Sequence, residues 1–247
     1  MIRIFEPRKS ISPDEDNPYW ISFSDIMAGL LVIFLLACVL LIIKLSNMEE
    51  KVHDAIREIQ KANKIRATML VEIRNHLAEQ GIIVEISENY SVLRIPDDRL
   101  YFDSLRYGIP EDKKGLLDDI GYALYDAIVK KKRHNYIDTI FIEGHTDSRK
   151  AVSFEMGNWG LSTYRAIAVW KYWSEELDVG KDLKKLKNSY GKPMFSVSGY
   201  AATRPLVKND NTFEKQRKNR RIDLRFSMKK PIISEYESVL NILEILK

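Results

Sequence analysis

Residues 137–147 read IDTIFIEGHTD. The apolar, β-branched run 137–143 predicts a buried strand, and the loop after it carries Asp147 at the strand's C-terminal end. Outward from this stretch the chain alternates. On the N-terminal side, Pro110-Glu111 opens a helix whose apolar face is Leu116, Leu117, Ile120, Leu124 and Ile128. Before it, 82–86 and 91–95 read as strands joined by a polar turn at Glu88-Asn89. On the C-terminal side, 158–177 reads as a helix with Leu161, Ala166, Val169 and Trp173 among its apolar positions, followed by a strand over 194–200. A basic helical segment over 212–219 then leads into 222–226, whose alternation of apolar and charged residues reads as an edge strand. Strands alternating with helices predict an α/β or α+β sandwich over 81–230, with helices on one face of a mixed sheet.

The chain has 247 residues, 30% of them charged, and a net charge of +4. Most of it is therefore polar and globular, and the small basic excess is no argument for nucleic acid. One stretch departs from that composition. Residues 20–44 read WISFSDIMAGLLVIFLLACVLLIIK, without a charged or strongly polar residue from 26 to 43. At roughly 1.5 Å per residue this approaches the ~30 Å apolar thickness of a bilayer and predicts a single membrane-spanning helix over 20–45. Tyr19 and Trp20 suit an interfacial anchor. The only cysteine, Cys38, lies within the span, so no intrachain disulfide forms. Lysines and arginines are balanced across the span, so charge does not set its orientation.

Asp25 sits near the N-terminal edge of the span. A carboxylate in a spanning helix costs about 2.5–3.5 kcal/mol at the centre and less towards an end. Two readings stay open: an ion-handling carboxylate facing protein or water, or a helix cap alongside Ser22 and Ser24. Residues 1–19 form an acidic, Pro-containing leader. Residues 46–80 read as a helical linker without Pro or Gly, ended by Gly81. Leu45, Met48, Val52, Ala55, Ile59, Ala62, Met69 and Ile73 give it a partial heptad seam, which fits either a coiled coil between two chains or an amphipathic helix lying on another domain. Residues 231–247 read as a C-terminal amphipathic helix.

Three motifs carry the chemistry. Gly144-His145-Thr146-Asp147 is followed by Asn158-Trp159-Gly160-Leu161-Ser162-Thr163-Tyr164-Arg165-Ala166 and then by Lys218-Asn219-Arg220-Arg221-Ile222-Asp223-Leu224. Arg165 lies about two turns into its helix, on the side of Asn158 and Leu161. An acid and a guanidinium facing one pocket suit a zwitterion, the carboxylate taking an ammonium and the arginine forking a carboxylate. A loop-to-helix salt bridge explains the same pair. Of four histidines only His145 is near the site; there is no HExxH and no cysteine outside the span, so neither metal nor catalytic chemistry is expected.

Together these motifs resemble the peptidoglycan-binding domain of the OmpA/MotB family. The resemblance implies that Asp147 and Arg165 bind the diaminopimelate of peptidoglycan, that Asn158 orders the site, and that Asn219 and Arg220 lie near the ligand groove. The segment 148–157 is longer than in OmpA or Pal and lacks the usual Asn after the Asp. Residues 18–27, PYWISFSDIM, resemble the span of MotB-type stator subunits, and most closely the ZorB branch found in Zorya anti-phage systems. That implies a single-pass inner-membrane protein with a cytoplasmic N-terminus and a periplasmic C-terminal domain. It further implies a homodimer inside a ring of a multi-span MotA/ZorA-like partner, with Asp25 translocating H⁺ or Na⁺ and no cofactor. A flagellar stator subunit and a passive wall tether of the Pal type are the rival readings; the tether needs no acid within the membrane.

Overall fold

The computed structural model describes residues 18–97, 99–102 and 105–231. The acidic leader and the C-terminal amphipathic helix expected over 231–247 lie outside them, apart from residues 18, 19 and 231. The chain divides into two compact units, Met1–Asp54 and Ala55–Lys247.

In the first unit, the helix α1 (Pro18–Glu79) begins at Pro18, a residue suited to a first helical turn. Residues 22–54 are helical throughout, and the side chains from Ile26 to Ile43 are nearly all exposed. This helix is long and apolar enough to cross a membrane. Asp25 stands two turns inside it and is exposed. The first turn holds no acidic residue. The helix cap left open by the sequence is thereby ruled out: the helix starts seven residues earlier, beyond the reach of a capping side chain.

In the second unit, five strands form one sheet in the order β1-β2-β5-β3-β4: β1 (Glu85–Ser87), β2 (Val92–Pro96), β3 (Ile137–His145), β4 (Phe195–Gly199) and β5 (Arg221–Met228). Only β3 and β4 run parallel. The helices α2 (Lys114–Val129), α3 (Gly157–Glu175), α4 (Gly180–Lys185) and α5 (Phe213–Asn219) connect them. Ile140, Ile142, Leu224, Phe226, Leu93 and Ile95 meet Leu117, Ile120, Leu124, Val169 and Trp173 in one core. The Trp173 indole donates to the Leu117 carbonyl at 2.7 Å, which pins α3 to α2. Met69, Leu70, Ile73 and Leu77 of α1 join the same core, and Gly81, at φ +76°, ends that helix.

The heptad seam therefore splits. Ala62, Met69 and Ile73 are spent on the chain's own core, whereas Met48, Val52 and Ile59 are exposed. The hairpin turn is made by Glu88, Asn89 and Tyr90, all at positive φ. Strand β1 is shorter than expected, because Ile82 and Val84 are buried before the ladder begins. Helix α4 had no legible signal at six residues. The edge reading of 222–226 is overturned: β5 is the centre of the sheet, flanked by β2 and β3. Its charged positions are paired across strands, Asp223 accepting from Arg94 at 3.0 and 3.1 Å and Arg225 donating to Glu143 at 2.7 Å. These pairs let both faces of the strand be buried.

Gly144 is where β3 passes closest to α3, and a Cβ there would meet the Ser162 carbonyl oxygen. Backbone cannot give way as a flexible side chain does. Gly144→Ala is expected to destabilise the domain by about 3 kcal/mol, the upper range for overpacking, and to lower its thermal midpoint by roughly 6–12 °C, measured by calorimetry on the detergent-solubilised chain.

Candidate functional site

Sheet register assembles the site. Arg221, the first residue of β5, pairs with His145 at the end of β3 and with Pro96 at the end of β2. The residues just beyond these three strand ends are Asp147, Asp97 and Arg220, which the antiparallel pairing brings together. Arg220 donates from Nη1 to Asp147 Oδ2 at 2.8 Å, and from Nε and Nη2 to the two oxygens of Asp97 at 3.2 and 2.8 Å. All three side chains are largely buried.

Helix α3 supplies the opposite wall. Asn158 donates to the carbonyls of Asp147 at 3.3 Å and Arg149 at 2.9 Å, and accepts from the Ala151 amide at 3.1 Å. It holds the segment 148–151 in place. Arg165, two turns on, is buried; its Nε donates to the Arg106 carbonyl at 3.0 Å and its guanidinium lies 5.0 Å from the Phe102 ring. Asp147, Asn158, Arg165 and Arg220 line one cavity of about 530 Å³.

The electrostatics follow from burial and pairing. Burial acts to raise the Asp147 carboxyl, but hydrogen bonds from Arg149 and Arg220 outweigh it and hold the group below its ordinary value. Burial pushes Arg165 down to about 10, with Asp97 opposing. Burial also opposes the charge on Arg220, and its bonds to Asp97 and Asp147 more than restore it. Among the described residues lining the cavity, Arg149, Lys150, Arg165, Arg217 and Arg220 face Asp97 and Asp147. Five basic side chains against two acids leave the lining with an excess of positive charge.

Asn219 does not reach the cavity. It is buried, its Oδ1 accepts from the Leu206 and Val207 amides at 2.8 and 2.9 Å, and its Nδ2 donates to Val207 and Asp210. Every polar atom of that side chain is used in fixing the 206–210 loop. Sequence reasoning missed Asp97, whose only trace is the Pro-Asp step after a strand, and Arg149, in the segment noted as unusual.

A second cluster lies on the sheet face away from the helices. Glu143, His145 and Asp223 place donor atoms within 4.8 Å of one another. Both carboxylates are already engaged: Glu143 accepts from Arg225, and Asp223 from Arg94 and Arg221. A metal would have to enter beside three guanidinium groups, so the donor set fits ion pairing and not a metal. His145 is buried, stacked on Tyr200 at 5.3 Å between ring centroids, and pushed down to about 3 by burial and then Arg221. It stays neutral at physiological pH.

Comparison with known proteins agrees with this geometry. The OmpA family is matched over residues 101–220, which span β3, α3 and the α5 end of the site. That stretch of the chain is similar to the OmpA-family domain. It is similar to Zorya protein ZorB from Escherichia coli Crooks, at 22% identity over 78% of this chain and 81% of that one. It is also similar to ZorB from Escherichia coli O139:H28, at 24% identity over 58% of this chain and 57% of its relative. Among solved structures, a putative MotB-like protein from Desulfovibrio vulgaris is 19% identical, with a TM-score of 0.50, covering 69% of this chain and 98% of that one. That likeness concerns the fold of the OmpA-family domain.

With both guanidinium groups removed, burial would be the largest influence left on Asp147, opposed by the backbone amide of residue 149. In an Arg149→Ala/Arg220→Ala variant the Asp147 carboxyl is expected to titrate above its ordinary 3.8 instead of below it, read by carboxyl-carbon NMR. In the unaltered chain the lowered carboxyl adds stability above its unfolded value, and that contribution is lost as pH falls through the folded one. In the variant this acid-side loss disappears.

Proposed function

We propose that this chain is a peptidoglycan-anchored stator subunit of an ion-driven rotary membrane motor, acting as ZorB does in anti-phage defence. The observation that carries the reading is the single cavity lined by Asp147, Asn158, Arg165 and Arg220. A diaminopimelate residue bears an ammonium and a carboxylate at one end. Arg165 offers the planar donor set that a carboxylate takes, and Asp147 is the acid an ammonium takes. Asn158 orders the loop between them. Arg220 fixes Asp147 and presents its own cationic edge to the cavity.

The other half of the reading concerns Asp25. It stands within an apolar helix whose neighbouring side chains are exposed, and a plain tether has no use for an acid there. Two copies would sit within a ring of a multi-span MotA/ZorA-like partner, with the domain on the periplasmic side and the N-terminus in the cytoplasm. The carboxylate would take up a cation and release it on the other side. One charge crossing 100 mV releases about 2.3 kcal/mol. Gripping the wall makes this chain the fixed part against which the partner turns. The role is one of binding and bearing load, not catalysis.

Two experiments test the halves separately. Arg165→Ala and Asp147→Ala are each expected to weaken muropeptide binding by about 10- to 100-fold, the loss of one charge-assisted contact, while thermal unfolding shows the domain intact. Unfolding instead would assign the pair a purely structural role. Asp25→Asn is expected to leave the membrane complex assembled but abolish ion flux and protection against phage; retained flux would reject the ion-carrier role.

A further inference from the structure

The cation-binding face of Asp147 is already occupied. Arg149 reaches back two residues and grips it with both prongs, Nε to Oδ1 at 3.1 Å and Nη2 to Oδ2 at 2.8 Å. The Arg149 amide donates to Oδ1 at 3.0 Å, and Arg220 Nη1 donates to Oδ2. Each carboxylate oxygen therefore accepts two hydrogen bonds, and an arriving ammonium finds both oxygens engaged.

The two arginines differ in freedom. The Arg220 side chain is 12% exposed and tied to Asp97 as well. The Arg149 side chain is 54% exposed, and among the described residues its side-chain hydrogen bonds go to Asp147. Its backbone, by contrast, is held: Asn158 donates to its carbonyl, and its amide keeps the turn with Asp147. The arm can leave while the loop stays.

We propose that Arg149 is a displaceable internal cation, a latch that fills the ammonium subsite of the cavity and must be pushed aside by the ligand's own ammonium. This rests on the peptidoglycan reading of the site and deepens it. Closed and open forms of one side chain then divide the population, and apparent affinity is reduced by the fraction closed. The latch also sets specificity. A ligand with carboxylates but no ammonium gains nothing from displacing Arg149, since Asp147 would lose one of its two cations and keep only Arg220. A ligand that supplies an ammonium replaces one ion pair with another. Between visits Arg149 supplies the second cation on the buried carboxylate, beside the fixed Arg220.

The test uses the full chain in detergent and two probes: a stem tripeptide ending in diaminopimelate, and the same peptide with its side-chain amine acetylated. Titration calorimetry compares wild type, Arg149→Gln and Arg165→Ala. Arg149→Gln keeps the backbone turn and removes the competing charge. It is expected to bind the free-amine peptide about 2- to 5-fold more tightly than wild type, and the acetylated peptide no more tightly. Equal or weaker binding of the free-amine peptide by Arg149→Gln would overturn the latch, as would an equal gain for both peptides, which would mean that Arg149 merely blocks the entrance. Wild-type binding that Arg165→Ala abolishes confirms the underlying site independently. No binding of the free-amine peptide by wild type or Arg149→Gln would remove both the site and its latch.

Discussion

Arg220 is the contact on which the site depends. Two buried carboxylates, Asp97 and Asp147, approach one another at the ends of β2 and β3. Like charges so placed would not both stay ionised without a cation between them. A planar guanidinium satisfies both at once, two donors to one acid and a third to the other, in a geometry lysine cannot copy. The arginine is delivered by the residue before the central strand, so its position is fixed by the sheet and not by a loop. Removing Arg220 would leave buried carboxylate charge uncompensated, which typically costs about 3–5 kcal/mol. Binding chemistry and fold integrity thus share one side chain, whereas Arg149 and Arg165 can be altered with less risk to the domain.

The same pairing logic continues down the outer face of the sheet. Register places Arg94, Asp223 and Glu143 side by side across β2, β5 and β3, with Arg225 one step further along. The two acids, Asp223 and Glu143, stand opposite each other, and arginines neutralise them from either side, Arg94 and Arg221 on Asp223 and Arg225 on Glu143. Such a ladder is no stronger than an apolar face of equal volume. What it adds is register: a slip of one residue along β5 would bring Asp223 opposite an apolar neighbour and expose Leu224 to the wrong face. The position of Arg220 is set by that register, so the ladder holds the site in alignment from a distance.

This also explains what the sequence could and could not disclose. The strand at 137–145 and the helix bearing Asn158 and Arg165 were legible because apolar periodicity is local. The span was legible because composition alone identifies it. The central place of β5 was not, since its charges look like those of a solvated edge until their partners, 80 and more residues away, are known. Asp97 and Arg149 escaped for the same reason: an acid after a strand and an arginine in a loop acquire meaning only from what folds beside them. Asn219 shows the reverse error. It stands within a recognisable motif, yet its amide is consumed by the 206–210 loop, and motif membership alone does not separate a residue that touches ligand from one that supports its neighbour.

Helix α1 carries the last consequence. Its residues Met69, Leu70, Ile73 and Leu77 are fully enclosed in the core of the second unit. At about 1.5–3 kcal/mol for each buried side chain, detaching this part of the helix would cost on the order of 10 kcal/mol, comparable to the whole stability of a domain of this kind. Glu72 adds a bidentate grip on Arg133, with Lys130 on the same carboxylate. The hydrogen bond from Arg133 holds Glu72 down at about 2, so this grip survives mild acid and fails only as pH falls from the ordinary carboxylate range towards that value. The C-terminal half of the expected linker is therefore part of the second unit's core. Met69, Leu70, Ile73 and Leu77 thereby tie the C-terminal part of α1 to the same core as the sheet.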